Sequence, residues 1–392
     1  MTRPIPTWQT DLFSHESVRD ARAVDDALRE ATPVAQLEDG TYIVTRYADV
    51  AAGLMDWKTF SNASRPWHDP DSLRPEILLT EDPPAHTRAR TVLGNALSPR
   101  ALEAMRAAFE TDAATLVDGL CEREGEVIDA VSEITARFVY KVLPDVLGLP
   151  EEGRDQMHAF SHAVWATMGP PNALFDEAME GAGPLLDWCE RVTSREALAP
   201  GSVGMEMYRA ADEGRVTEVE AKLLVQTILS AGADTTVLTM ANAIGAFARF
   251  PDQYDRVRAD PKLIRNAFDE SLRWDSPSRM AGRITTRDVE IEGHVIPAGS
   301  RTGLLFAAAN RDPRFWDDPD AFDVGRDVRR QVGWGYGVHA CVGRTLAQME
   351  ASALLGAIVA RIARFEPAGE IEPWMTTIGH GPAKLPVRFT VA

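Results

Sequence analysis

Between Thr217 and Pro251 nothing in the sequence stops a helix. Thr217-Glu218-Val219-Glu220 is a capping box, which satisfies two orphan N–H groups at a helix start. The helical pattern then runs to Phe250, unusually long for a globular chain. In its middle lies Ala231-Gly232-Ala233-Asp234-Thr235-Thr236. Gly, Asp and Thr are poor interior helix residues. Asp and Thr side chains also compete for backbone hydrogen bonds and can open a helix locally. Read alone, the cluster is equally a simple kink or a functional exception to the local rules.

The rest of the chain repeats the helical theme. Segment 14–30 places Val18, Ala21, Val24 and Leu28 on one face, and 48–55, 100–120, 130–146, 151–168, 173–197 and 345–360 carry helical periodicity. Gly169-Pro170-Pro171-Asn172 is a firm break. Residues 42–45 read as a strand, and 284–306 alternates in strand fashion around a turn at Glu292-Gly293. The loop 63–75 is equally a surface connection or an access route for substrate. The expected fold class is mainly α with a small β region. A length of 392 residues alone suggests two or three domains, but with no linker or repeat visible, residues 1–392 are expected to form a single domain.

Net charge is −18, from 41 basic and 59 acidic residues, which argues against nucleic-acid and membrane-surface binding. No apolar run follows Met1-Thr2-Arg3-Pro4-Ile5-Pro6, so neither a signal peptide nor a membrane anchor is expected. Cys121, Cys189 and Cys341 cannot all pair and fit no zinc spacing, which suits a reducing cytoplasm.

Cys341 stands in Gly333-Trp334-Gly335-Tyr336-Gly337-Val338-His339-Ala340-Cys341-Val342-Gly343-Arg344. Glycines without a Cβ let this backbone curl tightly and approach a flat ligand. The helix that follows aims its N–H groups and positive dipole end at the sulfur, favouring thiolate. Alone, such a cysteine is commonly a small buried hydrophobe. A thiolate beside a tight loop also suits iron, and it is one of the standard axial ligands of heme.

The loop resembles the F-x-x-G-x-x-x-C-x-G segment of the cytochromes P-450, with Gly337, Cys341 and Gly343 matching and Trp334 in place of Phe. The indole N–H is expected to be able to donate toward the sulfur. The resemblance implies the cytochrome P-450 fold, a triangular prism-like helical domain. Heme b (iron protoporphyrin IX) would lie between the long central helix and the cysteine-loop helix, with Cys341 as the iron ligand. His86-Thr87-Arg88-Ala89-Arg90 looks like the H-T-R-x-R segment whose His and Arg pair with a heme propionate. By the same resemblance Arg283 and His339 serve the propionates. Glu270, Arg273 and Arg326 would form a structural network. Asp234 and Thr235 resemble the acid–alcohol pair that delivers protons for O–O cleavage, with Ala231 and Gly232 leaving room over the iron. This pair implies an enzyme that activates O₂, against a non-catalytic heme carrier or sensor and a peroxide-driven oxygenase.

Similarity extends to the soluble bacterial branch that includes enzymes of small para-substituted aromatic acids, through Gly169-Pro170-Pro171-Asn172 and 230–236. Where those enzymes hold a carboxylate with serine and arginine, this chain has Pro75-Glu76 and Gln226-Thr227. An ionised Glu76 would repel a benzoate, so a neutral or cationic substrate is expected. A methoxyphenol, hydroxylated or O-demethylated, is the first candidate. Trp165, Met168, Thr227, Ala231, Ala281, Gly282 and Ile378 are the expected pocket walls, the small pair Ala281 and Gly282 widening it. Electrons are expected from a separate ferredoxin- or flavodoxin-type donor with an NAD(P)H-dependent reductase, docking on Arg326, Arg329, Arg330 and Arg344. The protein is expected to be a cytoplasmic monomer.

Overall fold

The computed structural model describes residues 3–63, 66–67 and 77–392. The central helix spans Glu218–Arg249, 32 residues, with both capping-box hydrogen bonds at Thr217. At 1.5 Å per residue it is about 48 Å long, the width of a whole domain. Every residue from Thr236 to Ile244 is buried, so this stretch is covered on all sides. Helices Ala136–Leu147, Met157–Ala166, Val203–Asp212 and Ile264–Trp274 pack directly against it. Among the described residues it is the one helix long and apolar enough to cross a membrane, and 72% of its most apolar window is buried inside the protein. The helix after the cysteine, Arg344–Arg361, packs on Arg106–Cys121 and Ile264–Trp274 and shares the same apolar core.

The β structure is more widely drawn than the sequence suggested. A six-stranded sheet runs in the order Thr7–Trp8, Val34–Leu37, Tyr42–Val44, Arg301–Leu304, Ala281–Thr285, Phe60–Ser61. Tyr42 pairs in parallel with Thr302, and Gly282 lies antiparallel to Gly303. This sheet joins the first 61 residues to the region of Arg283. A second sheet places Pro386–Val391 between Ile362–Pro367 and Val127–Asp129, antiparallel to both.

Several expected helices are broken for local reasons. The first divides at Asp20. The stretch 173–197 divides at Gly181, whose φ of +73° ends one helix and admits the next. Residues Ala130–Thr135 form a π-helical turn whose first N–H groups are capped by Asp129.

Candidate functional site

The cysteine loop is closed by its own backbone. Gly335 and Gly337 sit at φ +66° and +65°, and a Cβ on Gly337 would lie 3.0 Å from the carbonyl of Leu54. Cys341 N–H donates to the Trp334 carbonyl at 2.7 Å. The backbone N–H groups of Gly343 and Arg344 bond the sulfur, yet burial raises the thiol pKa by more than these groups, Arg90 and Arg344 lower it. The two backbone N–H groups at the helix start act in the direction expected, toward the thiolate that a coordinated cation would hold.

Trp334 corrects a second expectation. Its indole N–H donates to Asp269 Oδ1 at 3.0 Å, away from the sulfur. Asp269 is buried and also accepts from Gln348 Nε2 at 3.0 Å and Arg344 Nη2 at 3.2 Å. The Arg344 guanidinium lies 5.4 Å from the centre of the Trp334 ring.

Cys341 opens onto a cavity of about 350 Å³. One end is basic. His86 and Arg90 come from helix Ala85–Ala96, Arg283 from strand Ala281–Thr285, and His339 from the cysteine loop. The His86 and His339 rings are 4.3 Å apart between centroids. Both ring nitrogens of His86 and Nε2 of His339 are buried with no hydrogen-bond partner. Burial, then the Arg283 charge, pushes His339 down to about 3, and burial pushes Arg283 down to about 10. Asp82, 3.9 Å from His339, is the carboxylate that approaches this group. A sulfur facing a mainly apolar cavity, with poorly neutralised basic groups at one end, fits a flat metal-bearing ligand that carries carboxylates.

The central helix lines the opposite side through Ala231, Gly232 and Thr235. It stays unbroken from Glu218 to Arg249. Its hydroxyls bond back to carbonyls four residues earlier, Thr235 Oγ1 to Ala231 O at 2.8 Å and Thr239 Oγ1 to Thr235 O at 2.6 Å. The residues that could open the helix are instead tied to it. A Cβ on Gly232 would meet Leu143 at 3.5 Å, so this glycine's missing side chain faces a neighbouring helix.

Asp234 faces away from the cavity wall. Its Oδ1 accepts from Tyr140 OH at 2.5 Å and lies 3.5 Å from His158 Nδ1; its Oδ2 is buried with no partner. Neither Tyr140 nor His158 had a signal in the sequence, because each meets Asp234 only through helix packing.

Trp165, Met168, Thr227, Ala281, Gly282 and Ile378 all line the same cavity. Gly282 does not widen it: a Cβ there would lie 2.6 Å from Trp67 and 2.7 Å from Pro66, so the bare glycine makes room for those two rings. Gln226 turns away, donating to Glu190 and Thr193. Glu76 lies outside the described residues. Glu350 on the cysteine-loop helix lines the cavity and was not foreseen; burial raises its carboxyl well above the usual range.

Glu270 and Arg273 are fully buried and doubly bonded, at 2.7 and 2.8 Å, and Arg326 Nε reaches Glu270 at 3.2 Å. The basic surface expected to receive an electron donor is correspondingly narrower. Arg326 is committed to Glu270, Arg329 to Asp327 and Arg344 to Asp269. Arg330 is exposed, its guanidinium 4.5 Å from the centre of the Phe315 ring.

Comparison with known proteins agrees with this geometry. The family model described as Cytochrome P450 matches residues 202–389. Cytochrome p450 CYP199A2 of Rhodopseudomonas palustris is 39% identical, over 99% of this chain and 95% of its own. Vitamin D(3) 25-hydroxylase of Pseudonocardia autotrophica is 30% identical, over 97% of this chain and 96% of its own. The solved structure of cytochrome P450 CYP109Q5 from Chondromyces apiculatus superimposes with a TM-score of 0.81 at 30% identity, covering 98% of this chain and 99% of that one.

Proposed function

The chain belongs to the cytochrome P450 family, and from that premise we propose that this monooxygenase hydroxylates or O-demethylates a small neutral aromatic compound such as a methoxyphenol. Heme b is the cofactor of this family and supplies electron transfer and O₂ activation when bound; Cys341 would be its iron ligand here. His86, Arg90, Arg283 and His339 would hold its carboxylates, and Trp334 and Gly343 would shape the thiolate side.

One observation carries the substrate reading. Among the described residues, the basic groups that line the cavity are those four, all gathered at one end. With that end given to heme, no cation among the described residues remains to neutralise a substrate carboxylate. The remaining wall, from Trp165 and Met168 to Ala281 and Ile378, is mainly apolar and suits a ring. A buried, unpaired benzoate would be strongly disfavoured there.

Overall, one oxygen atom enters the substrate while the other leaves as water with two protons and two electrons. Thr235 Oγ1 gives its own proton to Ala231 O, so its lone pairs are free to accept from a proton donor in the cavity. Asp234, one residue earlier, supplies the carboxylate that holds the next proton. If a methoxy carbon is oxidised, the hemiacetal product collapses to a phenol and formaldehyde.

The electrons come, in this reading, from a ferredoxin- or flavodoxin-type donor served by an NAD(P)H reductase, arriving on the face of Arg330. The same reading makes residues 1–392 one domain and the protein a cytoplasmic monomer. The test is a titration of the heme absorbance with 4-methoxyphenol and 4-methoxybenzoate, followed by product analysis with O₂ and a surrogate donor. Tighter binding and turnover of the phenol are expected; a preference for the benzoate contradicts the reading.

A further inference from the structure

Asp234 is buried on the central helix, yet it is one side chain away from solvent. Helix Met157–Ala166 brings His158 to it, 56% exposed at the side chain, with Nδ1 3.0 Å from Tyr140 OH and 3.5 Å from Asp234 Oδ1. Helix Ala136–Leu147 brings Tyr140, whose hydroxyl donates to Asp234 Oδ1 at 2.5 Å. The other carboxylate oxygen, Oδ2, has no partner. From bulk water inward, the order is imidazole, phenol, carboxylate and then the Thr235 wall.

We propose that His158 and Tyr140 are positioning residues that carry protons from bulk water to Asp234, so that this chain feeds its reaction through one defined surface histidine. The proposal rests on the role given to Asp234 above. Each transfer conserves charge and atoms. His158 Nδ1–H gives its proton to the Tyr140 oxygen as the Tyr140 proton passes to Asp234 Oδ1. Tyr140 ends neutral, Asp234 ends as the carboxylic acid, and the imidazole takes a fresh proton from water. The acid side chain then turns from Tyr140 to the Thr235 side, releases its proton there and is restored as carboxylate.

The electrostatics suit this direction of flow. The hydrogen bond to Asp234 raises the His158 pKa, so the ring carries its proton closer to neutral pH than a free histidine does. Burial and the Asp234 charge raise the Tyr140 phenol far above its ordinary value, so it passes protons without ionising. His162 lies one turn along, its ring 6.5 Å from His158. Burial lowers its pKa and it bonds the Met375 carbonyl, so it stays neutral and outside the chain. The titratable groups facing His158 are thus Asp234 from the central helix, Tyr140 from its helix and His162 on its own.

The experiment uses holoenzyme with 4-methoxyphenol, or the best compound from the binding screen. Histidine C2–H titration by NMR, in the reduced and carbon-monoxide-blocked protein, should give His158 a pKa above that of a free histidine. In Asp234→Asn that value should fall. His158→Gln and Tyr140→Phe should each lower kcat about tenfold, with KM unchanged and a larger solvent isotope effect. In His158→Gln the fall of kcat as pH rises through the His158 pKa should disappear. An unshifted His158 pKa, or variants with wild-type kcat and pH profile, would overturn the proposal. Wild-type kcat in Asp234→Asn, with a normally shifted His158 in the wild type, would instead overturn the reading of Asp234 on which it rests.

Discussion

Glu270 and Asp234 are both buried carboxylates on helices that pack against each other, and they are used in opposite ways. Both oxygens of Glu270 are taken, by Arg273, Arg326 and the backbone N–H of Asp323 at 3.0 Å. The Arg273 guanidinium goes on to the carbonyls of Asn310, Pro319 and Ala321. Every polar group there has a fixed partner, so the cluster can only hold structure. Asp234 has one oxygen bonded and one with no partner, and its bonded side leads to solvent through His158. Burying a carboxylate without completing its hydrogen bonds costs stability. A chain that keeps such a group gains a site where a proton can arrive and leave.

The contrast can be broken most directly at the closed cluster. Arg273→Ala leaves Glu270 buried with Oε2 unpaired and only Arg326 and the Asp323 N–H on Oε1, and should cost about 3–5 kcal/mol; a denaturant titration that finds less than half of this makes the cluster expendable. At the open carboxylate the pattern should reverse. Asp234→Asn keeps an acceptor for Tyr140, so stability should change by less than about 1 kcal/mol, while turnover should fall about a hundredfold. Thr235→Val removes the hydroxyl but keeps the shape, and should lower coupling of electron use to product several-fold, read as peroxide released per electron pair. The smallest effect is expected behind the cysteine. Trp334→Phe takes one of three donors from Asp269 and should cost about 1 kcal/mol. Substrate affinity should be unchanged, and a large change in affinity would show that the indole reaches beyond Asp269.

What the sequence disclosed follows the same division. The central helix, the cysteine loop and the E-x-x-R pair were legible because each is local: a capping box, two turns of glycine, or two side chains three residues apart. The basic end of the cavity needed the family resemblance to join His86, Arg90, Arg283 and His339, which come from three separate elements. Contacts made only by packing were illegible. Tyr140 and His158 lie 94 and 76 positions from Asp234 in the chain, and nothing near them marks a relay. Gly282 was misread for a related reason: a missing side chain looks like space until Trp67 is found in it. Trp334 was misdirected because Asp269, its partner, sits 65 residues away on helix Ile264–Trp274. The two-residue strands of the large sheet are too short to show an alternating pattern.

The most direct test compares Asp234→Asn with wild-type holoenzyme in a single series, measuring product formed per minute alongside the thermal melt of the same samples. The account predicts superimposable melts and a loss of turnover of about two orders of magnitude. Full turnover in the variant, or a melt lowered as far as that of Arg273→Ala, would contradict it.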